Sequence, residues 1–198
     1  MTTSVRRPTA LLAPVALLAG LLLAGPAEAA PAPLQTRAAK PQCQRTLAAY
    51  PILRPGARNE AVRTLQCSLN DVGVGPIVVD GFYGPQTKAA VKKITDGFEG
   101  QGAPHPYRIN NGFWTLLFGR QLPDSNLAIG AHGPVVTILQ RALRAAGAEI
   151  VVDGNFGSQT EKVVKAYQRE HDIRPRTGVV NANTRFILAM GGVFDALS

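Results

Sequence analysis

The sequence predicts an all-α protein made of two small three-helix modules in tandem, joined by a short linker. Three observations carry that prediction. Two blocks of residues recur in the same order in the two halves of the chain. Apolar residues inside each block fall at helical spacing. Glycine and proline stand where helices of that length must start and stop.

Internal repetition decides the organisation of such a chain before any single element does. Gly56 to Gln66 (GARNEAVRTLQ) aligns with Gly130 to Gln140 (GAHGPVVTILQ), sharing glycine, alanine, valine, leucine and glutamine at one fixed offset. After a one-residue gap, Val78 to Lys88 (VVDGFYGPQTK) aligns with Val151 to Glu161 (VVDGNFGSQTE), and Ala90-Val91 with Val163-Val164. In the first helix of copy one, Val62, Leu65, Leu69 and Val72 lie on one face, matched in copy two by Val136, Leu139, Leu143 and Ala146. Asn59 is placed to cap that helix, with Glu60 in its first turn. Gly133 followed by Pro134 suits the same cap and first helical position, and Gly73 and Gly147 suit the stops. Next come Asp80-Gly81-Phe82-Tyr83-Gly84 and Asp153-Gly154-Asn155-Phe156-Gly157. There aspartate can bond nearby amides and glycine can take the left-handed turn. Pro85 and Thr87 open a second helix with Ala90, Val91, Ile94 and Phe98 on one face. Its counterpart carries Val163, Val164 and Tyr167. Third helices are expected over Asn111 to Phe118 and Asn183 to Met190.

The ends of the chain read differently. Met1 to Arg7 is basic, Ala10 to Gly25 is an Ala/Leu run containing Pro14, and Ala27-Glu28-Ala29 supplies small residues two apart. This order is that of a secretory signal over 1–29, cleaved after Ala29. Arg6-Arg7 raises the twin-arginine route, but the following residues suit general secretion better. Ala30 to Gln42 is a Pro/Ala-rich flexible lead-in. The modules are then expected over 43–122 and 123–198.

Cys43 and Cys67 are the two cysteines of the chain, and an even count in an exported protein argues for one disulfide between them. The formal charge is +8, and loss of Arg6, Arg7 and Glu28 with the leader makes it +7. That sign suits an anionic wall polymer and equally suits solubility alone, while export argues against nucleic acid.

Helix ending in Leu-Gln, then Asp-Gly-x-aromatic-Gly-x-x-Thr, then an aromatic-Gln pair, then Thr-Gly-Val-Val and a last helix: this order resembles the three-helix bacterial peptidoglycan-binding domain. Copy two carries nearly all of it in Leu139-Gln140, Asp153 to Thr160, Tyr167-Gln168 and Thr177 to Asn181, and the resemblance spans Leu127 to Gly191. Copy one follows it from Tyr50 to Val91. It then departs, with Ile94-Thr95 at the aromatic-Gln pair and a Gly/Pro-rich loop from Gly97 to Tyr107. Its last helix keeps Trp114 where the family often has tryptophan, and copy two has Arg185 there. The added disulfide is similar to variants of the module in secreted actinobacterial proteins.

The resemblance implies a secreted, wall-associated monomer that binds peptidoglycan, by glycan or stem peptide, without cofactor or metal. No catalytic constellation can be assembled from the residues. His105, His132 and His171 show no metal-peptidase spacing, and Asp80 and Asp153 occupy equivalent turn positions instead of forming an acid/base pair. Candidate ligand residues are Gln66, Asp80, Tyr83 and Trp114 in copy one, and Gln140, Asp153, Phe156, Tyr167 and Gln168 in copy two. For each a structural use competes: the glutamines can tie down a loop, the aspartates can make a turn, and the aromatics sit at core spacing. Two further functions stay open, an adaptor or regulator docking on a wall hydrolase and a cryptic hydrolase.

Overall fold

The computed structural model describes residues 43–98 and 107–195. The expected leader and lead-in, and His105, lie outside the described residues. The helices run α1 Glu60–Asp71, α2 Pro85–Thr95, α3 Asn111–Gly119, α4 Pro134–Ala145, α5 Ser158–Glu170 and α6 Ala182–Ala189, with a 3-10 turn Asp96–Phe98 after α2. No strand forms among the described residues. Isolated antiparallel bridges recur at matched positions instead: Leu53 with Ile109 and Arg58 with Phe82 in module 1, Leu127 with Val180 and His132 with Asn155 in module 2.

Local chemistry sets the helix limits. Asn59 Oδ1 accepts from Val62 N at 3.0 Å, and Asn110 and Asn181 cap α3 and α6 in the same way. Pro85 and Pro134 occupy first helical positions, where a missing N–H costs nothing. Gly73 (φ 77°) and Gly147 (φ 109°) turn the chain out of α1 and α4 in a conformation that other residues resist.

The predicted stripes face inward. Val62, Leu65 and Leu69 are fully buried with Val72 at their edge, and Val136, Leu139, Leu143 and Ala146 are fully buried in module 2. Ala90, Val91 and Ile94 line the core from α2, as Val164 and Tyr167 do from α5. Each large apolar side chain buried in this way contributes about 1.5–3 kcal/mol.

The two modules share that core. Helix α3, which closes module 1, also packs along α4 and α6. A Cβ at Gly119 would run into the Leu188 carbonyl, and one at Gly112 would stand 3.0 Å from Gly191 O, so glycine is what lets α3 approach α6 this closely. Asn111 Nδ2 donates to Ala145 O at 2.9 Å across the same junction.

Residues 43–50 complete it. Cys43 and Cys67 form the expected disulfide (Cα–Cα 5.9 Å), and Arg45 pairs with Asp71 at the end of α1. On the module 2 side, Arg141 Nε donates to Thr46 Oγ1 and Arg144 Nη1 to Leu47 O. Tyr50 packs against Trp114 and Phe118 with ring centroids 5.3 and 5.1 Å away. Both modules fall within one compact unit.

Candidate functional site

Each module contains a glutamine lock at the heart of its Asp-Gly loop. Gln66 reaches from α1, where its Nε2 donates to Asp80 Oδ1 (2.7 Å), Phe82 O (3.1 Å) and Thr87 Oγ1 (3.1 Å), while its Oε1 accepts from Gly81 N (2.9 Å). Gln140 repeats this from α4, donating to Asp153 Oδ1 (2.8 Å), Asn155 O (3.0 Å) and Thr160 Oγ1 (3.2 Å) and accepting from Asp153 N and Gly154 N. One amide thus ties the first helix, the loop and the start of the second helix together. Buried polar groups require such complete pairing.

Gln168 makes a third lock, donating to Val179 O and Thr184 Oγ1 and accepting from Gly178 N, which joins α5 to the turn before α6. Module 1 has Thr95 at that register, and its hydroxyl bonds Lys92 O within its own helix. Trp114 and Arg185 solve one problem with different chemistry. The indole Nε1 donates to Pro51 O and an Arg185 guanidinium nitrogen to Ser125 O, the matching carbonyl of module 2.

The structure therefore places seven of the nine candidate ligand residues in the interior. Gln66, Gln140, Gln168, Tyr83, Trp114, Phe156 and Tyr167 are all buried, and none presents its side chain to a ligand at the surface. The aromatics pack as core. The Tyr83 and Tyr167 hydroxyls donate to Tyr107 O and Gly192 O, and burial raises both phenols above their ordinary range. Burial pushes Tyr50 up to about 12.

Asp80 and Asp153 are exposed. The Gln66 amide, and then the Phe82 N–H, hold the Asp80 carboxyl below its ordinary value. For Asp153 the Asn155 N–H leads and the Gln140 amide follows. Both remain ionised as turn anchors.

Only Asp153 of the nine lines a groove of about 880 Å³ between the modules. Module 2 supplies His132, Gly133, Pro134, Thr137, Ile138, Arg141, Asp153, Gly154 and Asn155, and module 1 supplies Arg45, Asp71 and Gln121 as the facing wall. The N-terminus of α4, with Gly133 as a cap that has no side chain to offer its amides, opens into it. Sequence reasoning missed His132, Thr137, Arg141 and Asn155. They sit inside the repeat at positions where the copies differ, and that contrast was the available signal.

Among the described residues no group of three or more His, Cys, Asp or Glu side chains could hold a metal ion, and no helix is long and apolar enough to cross a membrane.

Paired three-helix modules, each locked around an Asp-Gly loop, with a polar groove between them, define a small tandem-repeat helical protein. Two segments of the chain, residues 58–94 and 132–188, match the model of the peptidoglycan binding domain, one in each module, and the tandem modules belong to that family. None of the curated proteins and none of the solved structures compared with the chain matches it.

Proposed function

We propose that this is a secreted, non-catalytic protein that binds bacterial peptidoglycan with its tandem modules. The observation that carries the reading is the pair of family matches, one per module. The Cys43–Cys67 disulfide supports an oxidising compartment, and the leader expected over 1–29 supplies the route there. The groove between the modules is the surface offered to the polymer.

Co-sedimentation tests the reading. The mature chain pellets with purified peptidoglycan and stays in solution without it, and equal pelleting in both tubes refutes it. Zymography on embedded peptidoglycan checks the non-catalytic part, where a zone of clearing would overturn that part.

A second reading, docking on a wall enzyme, rests on one feature. Phe186 on α6 and Met190 at its C-terminal cap lie one turn apart and are 61% and 45% exposed. A stoichiometric protein partner captured from culture supernatant, with no retention on washed wall, would favour it.

A further inference from the structure

The repeat places the two modules in register, and their surfaces differ at one place. On α1, Thr64, Cys67 and Asp71 form a stripe, and the chain's own residues 43–46 lie on it. Thr64 Oγ1 donates to Gln44 O (2.7 Å), Cys67 is bonded to Cys43, and Asp71 accepts from Arg45 (2.8 Å). The upper end of that surface is filled as well. The Arg63 side chain lies over Gly81, 3.1 Å from where a Cβ would be, and donates to Val79 O, while Arg58 stacks 3.7 Å above the Phe82 ring.

Module 2 carries a shorter or different residue at each matching position. Thr137 stands for Arg63, His132 for Arg58 and Asn155 for Phe82. Ile138 and Arg141 stand for Thr64 and Cys67. All five line the open groove. The stretch of polypeptide that covers this surface in module 1 only borders it in module 2, where Thr46 meets Arg141 and the remainder opens into the groove.

The groove's charges say what would suit it. Arg141 is half-buried and its Nε is held by Thr46. Among the described residues no carboxylate stands within ion-pair distance of it; Asp71 acts on it from farther away and is itself paired with Arg45. The N-terminal end of α4 adds positive potential on the same side. Asp153 and Asn155 supply acceptors at the loop. A guanidinium fits a carboxylate through paired N–H donors, and loop acceptors fit backbone N–H groups. A peptide brings both, whereas a glycan strand whose lactyl carboxyls are tied up in amide linkages brings hydroxyl and acetamido groups and leaves the cation unmatched.

We infer that the module 2 groove takes the peptide part of the wall polymer, a short peptide with a free carboxylate at Arg141, while module 1 holds its equivalent surface closed with residues 43–46. This rests on the peptidoglycan-binding reading and narrows it: module 1 serves as the groove's second wall and as a filled copy of the site.

The test uses the mature full-length chain, isotope-labelled, titrated separately with glycan-free stem peptides and with chitin oligosaccharides, a neutral glycan of acetamido sugars, alongside pelleting with intact peptidoglycan. Stem peptide should give saturable amide shifts at Thr137, Ile138, Arg141 and Gly154, with none at Arg63, Thr64 and Gly81. Arg141→Gln should weaken binding about tenfold or more, the loss of a charge-assisted contact, with the amide spectrum unchanged away from Arg141 and Thr46. Thr137→Arg with Asn155→Phe, which copies the Arg63 and Phe82 filling at the upper end of the module 1 surface, should abolish the shifts at Thr137 and Gly154. If that variant does not fold, Arg141→Gln carries the test. Saturable shifts from glycan alone, shifts centred on module 1, or unchanged binding by Arg141→Gln overturn the inference while pelleting persists. Absence of pelleting overturns the wall-binding reading itself.

Discussion

Replacing Gln140 by leucine keeps the volume of the side chain near constant and deletes its hydrogen-bonding amide. Gln140 is 1% exposed and takes part in five hydrogen bonds, donating to Asp153, Asn155 and Thr160 and accepting from Asp153 N and Gly154 N. The losses are unequal. Asp153 and Asn155 lie at the surface, where water can replace the amide, and Thr160 Oγ1 keeps a 3.3 Å bond to Asn155 O. Gly154 is buried, and its N–H, bonded at 2.8 Å, is left without an acceptor. One buried donor stranded costs about 1–3 kcal/mol, and loosening of the loop adds to it, so about 2–3 kcal/mol is expected. For a unit of this size that corresponds to a fall in Tm of about 6–10 °C. Urea unfolding followed by far-UV circular dichroism gives the free energy, and hydrogen exchange at Gly154 reports the loop directly. Gln159→Leu, at an exposed helical position, is the control. A change below about 0.5 kcal/mol, in the range of ordinary surface substitutions, refutes the reasoning.

Gly119→Ala should destabilise by about 1–3 kcal/mol or more, because its methyl meets the Leu188 carbonyl, while Gly97→Ala, with open space around it, stays within about 0.5 kcal/mol. Urea titrations of the two variants decide this, and equal stabilities would sink it. Opening the Cys43–Cys67 bond, by reduction or by paired alanine substitution, should cost about 3 kcal/mol for a loop of this length. Thermal melts with and without reductant measure it. His171 Nε2 is buried without a hydrogen-bond partner, the ring lies 4.3 Å from that of Tyr167, and burial lowers its pKa although Glu170 and Asp195 act to raise it. The folded state thus disfavours the charged ring. Its contribution is intact above the unfolded value of about 6.5 and is lost as pH falls through the lower folded value. Melting temperature should fall between pH 7.5 and 5 in the wild type and less in His171→Leu. Staying above pH 5 keeps the Asp80 and Asp153 contribution, lost only at still lower pH, out of the comparison. Parallel profiles would refute the assignment.

What the chain's order alone determined was local or repeated. Asn59, Pro85 and Pro134 announced helix starts because capping depends on residues within one turn. Gly73 and Gly147 announced stops because a left-handed residue is costly for anything but glycine. The stripes of α1 and α4 followed from helical spacing, the bond between Cys43 and Cys67 from an even count, and the family from two ordered blocks. Tertiary structure decided the rest. Whether a glutamine or an aromatic faces a ligand or the core depends on what packs over it, and Gln140, Gln168, Trp114 and Tyr167 face the core. That α3 serves both modules depends on Gly119 meeting Leu188 of α6, and Gly112 meeting Gly191 just beyond it, far along the chain. The groove brings Arg45 and Asp71 opposite Arg141 and Asp153, a juxtaposition no local pattern encodes because it exists only once two modules share a core.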